Sequence, residues 1–189
     1  MRLTFAVFAI GLCTFLTTPQ VRANIVTNPG FETGDLSGWT LSGTDSAPDD
    51  NGIFYDVDSA DAHFGNFGAF FGAVGGLQNL NQDLATIAGA SYAVSFWLAQ
   101  APSVPAPYTN SFAVSFGGTT LTSETNVAAS VYAQRSFQAL ATSSSTTLLF
   151  AFRDDTGFFS LDDVSVATTS TVPEATSVFS SRPLWAFCL

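Results

Sequence analysis

Ser91-Tyr92-Ala93-Val94-Ser95-Phe96-Trp97-Leu98-Ala99 alternates large apolar with small or polar side chains. A strand repeats its side-chain direction every second residue, so Tyr92, Val94, Phe96 and Leu98 are predicted to face one side and Ser95 and Trp97 the other. The same period recurs on the C-terminal side. Phe112, Val114 and Phe116 lead into a turn at Gly117-Gly118. Further strands are expected at Val131 to Leu140, at Thr146 to Arg153 with Leu148, Phe150 and Phe152 inward, and at Phe158 to Val166. No window between residues 24 and 167 repeats apolar residues at helical spacing over a length sufficient for a helix. Short strands with one apolar face each are best satisfied by two antiparallel sheets packed face to face, an all-β sandwich. Three prolines between Pro102 and Pro107 mark a rigid loop, since proline cannot donate to a ladder.

Composition agrees with that architecture. The 19 phenylalanines can fill the layer between two sheets, the 15 glycines can make turns, and 43 serines and threonines can cover exposed faces. At 189 residues the chain suits one domain with a real core. Fifteen acids against five arginines and no lysine give a net charge of −10, which repels phosphate backbones and anionic membrane surfaces. Nucleic acid is excluded as the main partner; divalent cations are not.

The ends read differently from the body. Met1-Arg2, an apolar run from Leu3 to Leu16 and the Val21-Arg22-Ala23 stretch predict a cleaved secretory signal over residues 1–23. That run is short of the roughly 20 residues a membrane span needs. Removal of the signal leaves three arginines against fifteen acids, a net charge of −12, with Cys188 as the only cysteine and hence no intrachain disulfide. Residues 24–167 form the predicted domain. Residues 168–189 open with Thr168, Thr169, Ser170 and Thr171, a polar linker, and end in an apolar run from Pro183 to Leu189 too short to cross a bilayer.

Two segments carry a family resemblance. Asn28-Pro29-Gly30-Phe31-Glu32-Thr33-Gly34-Asp35-Leu36-Ser37-Gly38-Trp39 resembles the opening of secreted jelly-roll modules of the galactose-binding and carbohydrate-binding-module type. Asp154-Asp155-Thr156-Gly157-Phe158-Phe159-Ser160-Leu161-Asp162-Asp163-Val164-Ser165-Val166 is similar to their closing strand, and Gln82, Ala88-Gly89-Ala90, Tyr92 to Trp97 and Phe112 to Gly117 follow in the same order. Many such modules occur in bacterial proteins with a PEP-CTERM sorting tail, and Val172-Pro173-Glu174 resembles the start of one. The resemblance implies a jelly-roll fold, a polysaccharide or cell-surface glycan as partner, and exosortase-type sorting machinery. The tail departs from the family: Ala175 follows Glu174, and Arg182 precedes the apolar run instead of following it. Release from the cell, with no stable membrane span, is therefore expected.

The resemblance also implies a structural calcium shared by Glu32 and Asp162. A physical argument points the same way: with Val164 and Val166 inward, strict alternation puts Asp162 on the core side, where a bare carboxylate is costly unless paired or bound to a cation. Backbone carbonyls near Gly30 could complete the six to eight oxygens calcium prefers. A hydrated Asp162 at a strand end, or one accepting backbone hydrogen bonds, is the competing expectation. Asp45, Asp49, Asp50, Asp56, Asp58 and Asp61 lack EF-hand spacing and read as a solvated acidic loop.

Sugar recognition asks for a flat aromatic face with a few planar polar groups. Trp97, Gln134 and Gln138 are the candidates, with Ser136 alternating between the glutamines against Phe137. A loop covering Trp97 as an ordinary packing residue is the competing expectation. Trp39 is assigned to the core. For catalysis the residues are few: His63 is the only histidine, no Gly-x-Ser-x-Gly elbow exists, and Asp154 and Asp155, as strand neighbours, point apart. The expectation is a secreted, non-enzymatic carbohydrate-binding or exopolysaccharide-associated sandwich. A structural or adhesive matrix protein without a small ligand comes second, and a glycoside hydrolase third.

Overall fold

The computed structural model describes residues 22–102 and 109–169. The expected signal up to Val21, the loop from Pro102 to Pro107 beyond its first residue, and the sorting-like tail lie outside the described residues. Among the described residues ten strands are formed: β1 Thr40–Gly43, β2 Tyr55–Asp58, β3 Gly68–Phe71, β4 Gln78–Ala85, β5 Ser91–Gln100, β6 Asn110–Phe116, β7 Thr119–Thr125, β8 Ser130–Leu140, β9 Ser145–Asp154 and β10 Phe159–Thr168. One sheet has the order β1-β4-β9-β6-β7 and the other β2-β3-β10-β5-β8, with every pairing antiparallel. This is the two-sheet sandwich that the alternation predicts, of the jelly-roll kind that the resemblance implies. Among the described residues no helix is long and apolar enough to cross a membrane.

Alternation fills the layer between the sheets. From β5, Tyr92, Val94, Phe96 and Leu98 are buried; from β6, Phe112, Val114 and Phe116; from β9, Leu148, Phe150 and Phe152. Phe150 is a hub, with ring centroids 5.1 Å from Phe96 and 6.1 Å from Trp39. Each fully buried phenylalanine contributes about 2–3 kcal/mol, so this layer carries most of the stability. Trp39, 8% exposed, stacks on Phe31 and donates its indole N–H to Asn28 O at 3.1 Å. Its assignment to the core holds.

The N-terminal segment is tied to the ends of the chain's other half. Asn24 Oδ1 accepts the Val166 N–H at 2.9 Å, and Ile25 N–H donates to Val166 O. Inside, Gln82 receives Thr27 N–H at 2.7 Å and donates to Thr27 O and Gly38 O, so a buried amide is fully used holding the first loop against β4. The last strand runs one residue past the expected domain boundary: Thr168 pairs with Tyr92, and Thr169 N–H donates to Ser91 O.

Candidate functional site

Strand β10 determines the site because it does not alternate strictly. Phe159 to Asp162 pair with Gln100 to Trp97 in sequence, then the register shifts, and Ser165 pairs with Ser95. One extra residue is accommodated between Asp162 and Ser165, a β-bulge with Asp163 in the left-handed region at φ 50°. An insertion of one residue reverses the faces. Leu161, Val164 and Val166 all point to the core, whereas Asp162 lies opposite Trp97 on the outer face of the second sheet. The expectation that Asp162 shares the inner side with Val164 is corrected here: alternation carries across regular ladder and fails across a bulge.

Asp162 is nevertheless 0% exposed, because the segment between β2 and β3 folds back over it. Its Oδ2 accepts the backbone N–H groups of His63 at 2.8 Å and Phe64 at 3.2 Å, and its Oδ1 accepts Asp163 N–H at 2.7 Å. Burial pushes its carboxyl above the usual aspartate range against the pull of those donors. Glu32 holds the same loop from the other side. Its carboxylate accepts Asn66 N–H at 2.8 Å, Phe67 N–H at 3.1 Å and the Asn66 side-chain amide, and these donors lower its pKa. A Cβ at Gly65 would collide with Glu32 Oε1, so this approach requires glycine there.

Three more contacts complete the cover. The His63 ring stacks on Trp97 with centroids 3.9 Å apart and 17° between planes, and its Nδ1 lies 2.7 Å from Asp163 Oδ2. Tyr132 meets His63 edge-on and donates its hydroxyl to Asp61 O. Ser160 donates to the Asp61 carboxylate, whose pKa is raised chiefly by burial. Trp97 is thus half-buried with His63 over one ring face, the loop-covered environment that competed with a bare platform.

Among the expected ligand residues, Trp97 and Gln134 sit directly opposite each other on β5 and β8. Gln134, Ser136 and Gln138 are exposed along β8 and lie on that same face, beyond the margin of the cover. Asp162 and the stem of Glu32 both lie beside Gly30, where a Cβ would be 3.4 Å from Asp162 Oδ1 and 3.7 Å from Glu32 Cγ, but the Glu32 carboxylate turns to Gly65 and the Asn66 and Phe67 N–H groups. Among the described residues no three acidic, histidine or cysteine side chains converge to hold a metal. Asp162 Oδ1 accepts a single N–H and retains acceptor capacity against Gly30, so an ion here would draw on two carboxylates and otherwise on backbone oxygens.

The acidic stretch is less solvated than its composition suggests. Asp45 Oδ2 accepts Val74 N–H at 2.8 Å, and Asp58 Oδ1 accepts Ala60 and Asp61 N–H, so several of these acids brace loops. Asp154 is buried and accepts from Gln100 and Thr156, while Asp155 is forked by Arg153 at 2.8 and 2.7 Å, which lowers its pKa. The two serve separate partners, with Asp155 just past the end of β9.

Two shallow clefts lie away from this face. One of about 220 Å³ is lined by Asp35, Leu36, Asn51, Tyr55 and Asp56, and one of about 270 Å³ by Ile53, Phe54, Val74, Asp155 and Phe158. Neither contains residues singled out for sugar recognition from the sequence.

No family model and no curated protein matches the sequence. Solved structures do match the fold. TmCBM61, in complex with β-1,4-galactotriose, superposes with a TM-score of 0.52 at 19% identity, over 78% of this chain and 99% of that one. A family 16 carbohydrate-binding module gives 0.55 at 15% identity, over 76% and 99%. The K1 cleaved adhesin domain of Lys-gingipain from Porphyromonas gingivalis W83 gives 0.56 at 17% identity, over 75% and 96%. At these identities the likeness is one of fold: this chain is a β-sandwich of the kind used by carbohydrate-binding modules and by a bacterial adhesin domain.

Proposed function

We propose that this chain is a non-catalytic carbohydrate-binding module that works outside the cell, on a polysaccharide or cell-surface glycan. One observation carries the reading: Trp97 and Gln134 are register partners on one outer face, with Ser136 and Gln138 exposed along the same strand. An aromatic edge beside a row of amides and hydroxyls suits a sugar, whose C–H face packs on a ring while its hydroxyls pair with planar polar groups. The likeness to sugar-binding modules supports the same reading by analogy of fold. Export by the predicted signal over residues 1–23, exopolysaccharide association and exosortase-type sorting belong to the proposal.

Affinity gel electrophoresis against a panel of soluble polysaccharides tests it. At least one glycan should retard the wild type, and Trp97→Ala or Gln134→Ala should weaken that retardation roughly tenfold, the value of one aromatic or polar contact. If no glycan retards the wild type, the reading is lost. An adhesive or structural sandwich without a small ligand is then favoured by a specific observation, the stacking of His63 on the ring face a sugar would use. A hydrolase draws least support, since His63 Nδ1 is committed to Asp163, and Asp155 to Arg153.

A structural calcium at Glu32 and Asp162 is retained as a separate proposal. The ion would neutralise the Asp162 carboxylate beside Gly30 and would require the Glu32 carboxylate, which lies against Gly65, to turn toward it. Added calcium should raise the melting temperature, EDTA should reverse the rise, and Asp162→Asn should abolish it; indifference to both overturns the proposal.

A further inference from the structure

The cover over Trp97 is held by contacts of two kinds, and one kind suffices to keep the loop in place. Residues 60–67 are anchored through their backbone. Asp58 accepts the N–H groups of Ala60 and Asp61, Asp162 those of His63 and Phe64, and Glu32 those of Asn66 and Phe67, while Tyr132 donates to Asp61 O. The imidazole of His63 belongs to none of these bonds. It fills a slot instead, stacked on Trp97 at 3.9 Å and meeting Tyr132 edge-on at 5.1 Å. Its Nδ1 donates to Asp163 Oδ2 at 2.7 Å, a carboxylate being an acceptor only.

Two properties set this ring apart from permanent packing. Its side chain is 26% exposed, so one side of the slot already meets solvent, and it is polar, so leaving an aromatic face for water costs it little. A loop whose only task was to shield Trp97 would gain more from an apolar ring at position 63. The neighbouring Phe64 has such a ring, and it stands 77% exposed. The contacts that the imidazole makes are those of a sugar: a flat face against an aromatic ring and a donated proton to a fixed acceptor. Gln134, register partner of Trp97, and Tyr132, two residues along β8, lie on the same outer face.

Building on the glycan reading above, we propose that the His63 side chain is an intramolecular competitor for the sugar, stacked on Trp97 in the free protein and displaced when a glycan binds. The loop backbone stays on Asp162 and Glu32 throughout. The sugar takes the place of the imidazole between Trp97 and Tyr132, with a hydroxyl donating to Asp163. Such a competitor lowers the apparent affinity by the fraction of molecules whose slot is empty, and one stacked ring with one hydrogen bond corresponds to roughly tenfold.

Affinity electrophoresis of the full chain in gels containing soluble galactan, xylan or β-glucan tests it by comparing the wild type with His63→Ala. The substitution keeps the backbone N–H that Asp162 accepts. For a glycan that retards both proteins, the variant should bind roughly tenfold more tightly, and adding Trp97→Ala should remove the gain. A second measurement needs no variant. His63 is the only histidine in the sequence, so its imidazole proton signals can be followed in the wild type. The ring current of Trp97 should shift them upfield in the free protein, and saturation with the retarding glycan should release that shift. A His63→Ala protein that binds no more tightly than the wild type, or histidine signals that stay shifted in the glycan complex, overturns the competitor and leaves the glycan reading standing. If none of the three glycans retards either protein, both fall.

Discussion

On the outer face of the first sheet, Asn81 lies half-buried between Thr40 and Leu149; on that of the second, Asp162 lies fully buried beside Trp97 beneath the loop that joins β2 to β3. The same two-residue period generates both faces. The first mixes small and hydroxyl-bearing groups such as Ser42, Ala113, Ser115 and Thr147 with Asp83, Leu149 and Arg153. The second carries a tryptophan and an ionisable group that the bulge at Asp163 turns outward, and it acquires a second layer of polypeptide. The lesson is that burial and core-facing direction are separate properties. Asp162 is wholly buried on the side of the sheet that faces away from the core.

The strongest way to break this contrast is Asp162→Ala. The change orphans the N–H groups of His63 and Phe64 beneath their own loop and releases the cover over Trp97. Hydrogen bonds to a charged acceptor and unpaired buried donors each cost about 1–3 kcal/mol, so a loss on the order of 3 kcal/mol is expected. For a chain of this size that is a fall of roughly 10 °C in melting temperature, with a red shift in tryptophan emission as Trp97 is uncovered. A fall below about 2 °C in a circular-dichroism melt would show that the loop stands without its acid.

The core was legible from alternation alone, because Tyr92 to Leu98, Phe112 to Phe116 and Leu148 to Phe152 lie in regular ladder where period two is enforced by the pleat. The direction of Asp162 was not, because strict alternation was carried through Asp163. The signal was present nonetheless. Phe159 and Leu161 occupy odd positions while Val164 and Val166 occupy even ones, and a strand that changes parity while keeping one apolar face must contain one extra residue. An Asp-Asp pair at the change of phase is apt, since aspartate tolerates the left-handed region better than most residues. The loop cover was legible only as an alternative. Its anchors are contacts between residues about 100 apart, such as His63 with Asp162 and Asp163, and no local pattern encodes such pairing. Glu32 and Asp162 each give their carboxylate to backbone N–H groups of residues 63–67, a partner that the sequence does not announce.

A smaller, signed effect sharpens the comparison through pH. Burial raises the folded-state pKa of Asp162 above the ordinary aspartate value of 3.8, so the native state binds this proton more tightly than the unfolded chain does. Ionisation of a group so shifted costs stability as pH rises through its folded pKa, and the cost is absent below the unfolded value. Asp162→Asn has no such titration. Relative to that variant, the wild type should therefore gain stability as pH falls from 7 through the raised folded pKa to about 3.8, and change no further below it. Urea denaturation of both proteins across that range gives the difference directly. A wild type that loses ground to the variant on acidification would place the carboxyl on the other side of its ordinary value, as for Glu32 and Asp155, whose donors and cation hold them down.

The smallest effect is expected where the first sheet is changed in the same way. Asn81 faces outward between Thr40 and Leu149, half-buried, and among the described residues its amide anchors no loop. Its replacement by alanine removes a polar group from a solvated face, orphans no buried donor and leaves no cavity, so stability should move by no more than about 0.5 kcal/mol. Measured beside Asp162→Ala under identical conditions, it isolates the contribution of the cover from that of the strand position itself. An Asn81→Ala loss approaching that of Asp162→Ala would mean that the first face, too, depends on its polar side chains, and that the asymmetry between the two faces is one of appearance.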